Sequence, residues 1–178
     1  SFLLGPVKEW LHGAGLPYAT AFGSSVAPAH LRAIIAWEKL RKGEAQPAAL
    51  VREVYDHMNV TRGHKTLPGI PADEMLTLAQ LRSQHGCLVD TPWHDALAKI
   101  PLRDLTYYRA IKRRGESLAR TPRIFVGTIH SVKGGEADNV ALMPDMTQRT
   151  WEGYERDRDT EHRTFYVGAT RAKERLWL

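Results

Sequence analysis

The final stretch Glu161–Leu178, EHRTFYVGATRAKERLWL, limits the possible folds more than any other part of the chain. It opens on charged residues, passes through Phe165-Tyr166-Val167-Gly168-Ala169, sets Arg171 just beyond them, and closes on the strand-like Leu176-Trp177-Leu178. Gly168 and Ala169 would let a helix lie close against a sheet, so the pattern is a helix feeding a strand with a fixed cation near the junction. Taken by itself, Arg171 reads as a surface arginine. A second unusual stretch lies upstream at Ile124–Val140, IFVGTIHSVKGGEADNV, where an apolar run flows into two adjacent glycines and an acid. A strand ending in a loop of small residues is where α/β sheets bind ligands, because backbone amides can approach a phosphate there without side-chain obstruction.

At 178 residues the chain can bury one sizeable core, with room for a small appended subdomain. A net charge of +5 and a pI near 9.5 favour a polyanionic partner. The single cysteine, Cys87, excludes an internal disulfide framework, and the eight histidines lack metal-ligand spacing, so a cytoplasmic protein without a structural metal is expected. No apolar run approaches the ~20 residues that span a bilayer, and no membrane role is expected.

Ser1-Phe2-Leu3-Leu4 lacks a methionine and opens on apolar residues, which reads as a piece of a longer chain. A helix is predicted over Pro6–His12 with Gly13 as its cap, then a short strand at Leu16–Ala19. From Pro28 to Lys42, Leu31, Ile34, Ile35 and Leu40 fit helical spacing, with Gly43 as the stop. Pro47 opens another helix with the stripe Leu50, Val51, Val54, Tyr55 and Met58. The loop that follows carries a basic cluster, Arg62, His64 and Lys65, without the upstream glycine that a phosphate-binding loop requires. Further helices are predicted over Ala72–His85, from a Thr91-Pro92 cap through Ala98, and over Leu102–Leu118. The last turns Leu105, Tyr108 and Ile111 inward and Arg109, Lys112, Arg113 and Arg114 outward, a face that is either solvated or bound. Beyond Pro122 come two strands, Arg123–Ile129 and Asn139–Met143, whose near-continuous apolarity suggests burial in a parallel sheet. Asp145–Asp159 is polar and reads as a mobile loop.

The pairing of the two unusual stretches resembles motifs V and VI of the UvrD/Rep-like superfamily 1 DNA helicases. The first motif there runs roughly T-x-H-x-x-K-G-x-E, and this chain supplies Thr128, His130, Lys133, Gly134 and Glu136; the second runs Y-V-x-x-T-R-A, matched by Tyr166, Val167, Thr170, Arg171 and Ala172. The opening LLGPVKEWLHGAGLPYATAFG resembles the segment after motif IV, whose phosphate-binding arginine would lie just before Ser1. Gly135 stands where a leucine is common and Ala137 where a phenylalanine or tryptophan is common.

The resemblance implies an α/β fold, a RecA-like parallel sheet flanked by helices with a short all-helical insert. Its parts would be 1–42, the insert 43–121, and 122–178 carrying both motifs. It implies the second motor domain of an ATP-dependent helicase acting in DNA repair or replication, on single-stranded DNA or single/double-strand junctions. Arg171 would stabilise the transferring phosphoryl group. Gly134, Gly135 and Glu136 would hold ATP, Glu136 at the ribose hydroxyls. Thr128, His130, Ser131 and Lys133 would hold the DNA backbone. Alone, Glu136 would read as a cap of the next turn and His130 as a structural histidine, while Lys133 would equally contact a phosphate or sit in solvent. The chain has no Walker A sequence and no D-E-x-Q-like magnesium motif. Hydrolysis therefore requires an upstream P-loop domain of the same chain, which would hold most of the Mg2+ coordination. A non-catalytic nucleic-acid-binding module and a phosphate-binding scaffold are the alternative readings.

Overall fold

The computed structural model describes residues 4–59, 67, 69–132 and 134–178; the Arg62, His64 and Lys65 cluster and Lys133 lie outside the described residues. The chain divides into two compact units, one formed by Leu11–Pro17 with Ser24–Arg123, the other by the segment ending at Trp10 with Tyr18–Gly23 and Ile124–Leu178. Helix α1 (Leu4–Ala14) runs past the expected stop at Gly13 and is followed by Gly15, which has φ +64°. A Cβ at Gly15 would lie 2.7 Å from the carbonyl carbon of Ala110, so only glycine permits this left-handed turn against its neighbour.

The first unit is helical. α2 (Pro28–Arg41) and α3 (Ala48–His57) pack face to face, and α4 (Leu78–Gln84), α5 (Trp93–Ala96) and α6 (Leu102–Arg113) complete the layer. Its core is continuous: Trp37, Leu40, Val51, Val54, Leu81, Leu97, Tyr108 and Ile111 are all fully buried. Two of the periodicity readings shift here. Ile35 points outward, 40% exposed, and Trp37 takes the central place. The segment predicted as a helix from Ala72 instead forms strand β4 (Met75–Leu76), antiparallel to β3 (Gln46–Pro47), before α4 begins. The reason is a capping box: the Thr77 hydroxyl accepts from the Gln80 amide at 3.3 Å while the Gln80 side chain accepts from the Thr77 amide at 2.9 Å, which fixes the start. α5 is shorter than expected, with Pro92 rather than Thr91 at its N-cap and no side-chain cap bond; the Thr91 carbonyl instead accepts the Trp37 indole N–H at 2.9 Å.

Where α2, α3 and α6 meet, the His30 and His57 rings lie edge to face with centroids 5.0 Å apart, and His30 Nδ1 is 3.0 Å from the Tyr108 hydroxyl. Burial, and secondly the His30 ring, hold the pKa of His57 below its ordinary 6.5 despite nearby Asp56 and Glu53. Above pH 6.5 the ring is neutral folded and unfolded, so its contribution is fully present. As pH falls below that value the unfolded chain takes up a proton that the folded one resists, and stability declines down to the folded-state pKa. Melting temperatures are expected to drop as pH falls from 6.5 to about 5, with a shallower drop in His57→Gln; equal slopes would remove His57 as the cause.

The second unit is mixed α/β. β1 (Tyr18–Thr20) pairs in parallel with β5 (Ile124–Phe125) in a three-stranded sheet, order β2-β1-β5, where β2 is Gly23–Ser24. β6 (Ala137–Ala141) pairs in parallel with β7 (Ala172–Trp177) in a separate two-stranded ladder. β5 and β6 thus each pair in parallel, but they are short, divided between two ladders and largely exposed rather than buried, so the single buried RecA-like sheet expected is not what these ladders form. The strand predicted through Ile129 stops at Phe125, where its register with β1 ends, and the chain goes on into a 3-10 turn, Ile129–Val132. The expected loop Asp145–Asp159 holds a helix, α7 (Gln148–Arg156). The Thr147 hydroxyl accepts from the Thr150 amide at 3.1 Å and caps it, and Gln148 bonds Glu152 one turn on. α8 (Arg158–Ala169) follows, capped by Asp157, whose carboxylate accepts from Thr160 and is thereby held below its ordinary pKa. Among the described residues, no helix is long and apolar enough to cross a membrane, and no cluster of His, Cys, Asp or Glu could hold a metal ion.

Candidate functional site

The β6–β7 ladder brings the two unusual stretches of the sequence together. Ala137 is in register with Ala172, and the Ala137 amide donates to the Arg171 carbonyl at 3.0 Å, so Glu136 and Arg171 stand side by side where the ladder begins. α8 delivers Arg171 to this point. Gly168 is buried, and a Cβ there would meet Leu142 Cδ1 at 3.1 Å and Ile129 at 3.2 Å, so a bare backbone lets the helix approach both the segment after β6 and the 3-10 turn. Gly168→Val should push these elements apart and cost about 1–3 kcal/mol by overpacking, read by urea unfolding.

Arg171 is half-buried and its guanidinium is held in place. Nε donates to the Val167 carbonyl at 3.0 Å, Nη2 to the Thr170 hydroxyl at 3.1 Å, and Nη1 to the Gly135 carbonyl at a long 3.4 Å. Each nitrogen donates once, leaving one N–H on each terminal nitrogen for a ligand. The Val167 bond also neutralises a carbonyl at the negative end of α8. Glu136 is exposed and forms an ion pair with Lys173 at 3.3 Å, with side chains just over half exposed, so the pair orients the carboxylate and adds little stability. Gly134 has φ +82° and open space about its Cα, while the Gly135 amide closes a turn onto the Val132 carbonyl at 2.9 Å.

The residues on the 3-10 turn divide by what they already bond. The Ser131 hydroxyl donates to the Thr128 carbonyl at 2.8 Å, and the Thr128 hydroxyl accepts from the Ser131 amide at 3.3 Å, so both shape the turn. His130 is exposed on the same turn. Lys173, the partner of Glu136, and Gly127 carry no motif signal of their own in the sequence. A Cβ at Gly127 would crowd the Ser131 hydroxyl and lie 2.6 Å from Phe125 Cε1, so a larger residue there requires one of these side chains to move. The glycine was legible within IFVGT, but the ring it faces was not.

The profile of the UvrD-like helicase C-terminal domain matches residues 71–178 of this chain, a span that contains α4 to β7 and both motif stretches. The chain belongs to the UvrD-like helicase C-terminal domain family. Neither curated proteins nor solved structures yield a match. Within this UvrD-like domain, three features meet at the head of the β6–β7 ladder. Arg171 has unspent donors, Glu136 has acceptor capacity beyond Lys173, and a Cβ at Gly134 would meet nothing within 4 Å among the described residues.

Proposed function

We propose that this chain is the second, RecA-like half of an ATP-dependent DNA helicase motor in the cytoplasm, acting in repair or replication. Its functional parts on this reading are 1–42, the helical insert 43–121, and 122–178. The observation that carries the proposal is the hydrogen-bonded start of the β6–β7 ladder, which sets Arg171 beside Glu136 behind the Gly134-Gly135 turn. Arg171 stabilises charge on the transferring phosphoryl group, and Glu136, steadied by Lys173, accepts from the ribose hydroxyls. The backbone at Gly134 and Gly135 lets the ligand approach closely. An upstream P-loop domain of the same chain supplies the remaining contacts, including most of those to Mg2+.

Single-stranded DNA, or the single-stranded arm of a junction, runs along the 3-10 turn. His130 on that turn, and Lys133 after it in the sequence, contact its phosphates, while Thr128 and Ser131 hold the turn in shape or contact the backbone themselves. Such contacts set register and carry no sequence information.

The deciding experiment measures ATP turnover by the full-length chain with and without single-stranded DNA, alongside the 178-residue chain alone. DNA-stimulated turnover in the full-length chain and none in the shorter one is the expected result. No turnover in either, with DNA still bound in a salt-dependent way, would replace the motor by a non-catalytic nucleic-acid-binding module.

A further inference from the structure

In the helical unit, the C-terminal halves of α2 and α6 border a groove of about 320 Å³, far in sequence from the ladder that carries Arg171. That is at the small end of the range for ligand pockets, so it admits one or two side chains. Ile34, Ile35 and Leu118 form an apolar floor. Ile35 is 40% exposed although it sits on a helix whose other apolar residues build the core. Lys39, Lys42 and Lys112 stand around it, all exposed and without an ion-pair partner among the described residues. Acids nearby do not cancel them. Both Glu38 oxygens accept from Arg41 at 3.1 Å, and Oε1 also accepts the Trp93 amide at 3.0 Å, which leaves Glu44 as the one uncommitted carboxylate lining the groove.

The lysines fall in or just beyond the last turns of α2 and α6, where cations favour the helix dipoles. That accounts for positive charge but not for an isoleucine left in water between the cations. An apolar floor ringed by lysines, whose aliphatic stems extend the apolar surface, matches a ligand that is apolar at its centre and acidic at its edges. We propose that this groove docks an acidic amphipathic helix of a partner protein, which seats one or two aliphatic side chains over Ile35 and sets carboxylates against Lys39, Lys42 and Lys112. Helix-in-groove recognition uses anchors spaced at i and i+3 or i+4, the spacing that two neighbouring helices can accept. A nucleic-acid strand would satisfy the lysines but would lay sugar and phosphate over the apolar floor, which wastes it.

The test is selection of a displayed library of amphipathic helical peptides on the 178-residue chain, followed by fluorescence anisotropy of the enriched sequences. Enriched peptides are expected to carry an aliphatic pair at helical spacing flanked by Asp and Glu. Ile35→Asp is expected to weaken binding at least about tenfold. Because Ile35 is partly exposed, that variant should keep its fold, which circular dichroism checks. A Lys39→Glu/Lys112→Glu double variant should instead prefer the isosteric peptide with lysines in place of the acids. Enrichment without acidic bias, binding unchanged by Ile35→Asp, or no reversal in the double variant would each overturn the proposal. So would a single-stranded oligonucleotide that binds through these lysines while no peptide does, which would assign the groove to nucleic acid.

Discussion

Arg171→Ala in the full-length chain is expected to lower DNA-stimulated ATP turnover by roughly a thousandfold or more, the range associated with losing an arginine that stabilises phosphoryl transfer. The effect should fall mainly on kcat, because the guanidinium is asked to meet charge that develops in the transition state. Its local cost is small. The Val167 carbonyl and Thr170 hydroxyl released by the substitution lie at the partly exposed C-terminus of α8, where water can replace the lost donors. Circular dichroism and single-stranded DNA affinity in the absence of nucleotide should therefore stay close to those of the parent. Arg171→Lys separates charge from shape. It keeps a cation but loses the planar fork that bonds Val167, Thr170 and Gly135 while presenting further N–H groups, so it should recover only a small part of the turnover. Undiminished turnover in Arg171→Ala would remove this residue from the mechanism. A fall in turnover matched by a fall in melting temperature would mark it as structural.

The helix-to-strand passage around Arg171 was legible in the sequence because its signals are local. Gly168, Ala169 and the run into Leu176-Trp177 lie within a few residues of one another, and the structure places Arg171 between α8 and β7. The partners of that arginine were not legible, since the Gly135 carbonyl comes from a remote segment brought in by the β6–β7 register. Strand extents were misread for a related reason. An apolar run such as Ile124–Ile129 suggests burial, but a strand lasts only while a neighbour pairs with it, and here pairing with β1 covers Ile124 and Phe125 alone. α7 was missed because charge and polarity were taken for loop character; its order comes from the Thr147 cap and from Trp151, whose indole N–H donates to Glu155 at 3.2 Å. β4 was missed because the helix expected from Ala72 absorbed it, while Thr77 and Gln80, three residues apart, already carried the capping signature.

The helical spacing of α2 was also read without its most important residue, and Trp37→Ala should show the consequence. Trp37 has 0% relative exposure and belongs to the continuous core shared by α2, α3, α5 and α6. Removing a fully buried indole is expected to cost about 3–5 kcal/mol, through lost apolar burial and the cavity left behind. Natural domains are stable by only about 5–15 kcal/mol, so this one change should leave the helical unit marginal. Trp37→Phe divides the effect. It keeps most of the ring but leaves the Thr91 carbonyl without its indole donor, a loss of about 0.5–1.5 kcal/mol at this exposed residue. Equilibrium urea unfolding of the three proteins, followed by circular dichroism, should rank them parent, Trp37→Phe, Trp37→Ala. Hydrogen exchange should show the loss of protection first in α2, which carries Trp37, and in α3, which packs against it. If Trp37→Ala unfolds within about 1 kcal/mol of the parent, the core must collapse into the vacated volume, and the central role given to Trp37 fails.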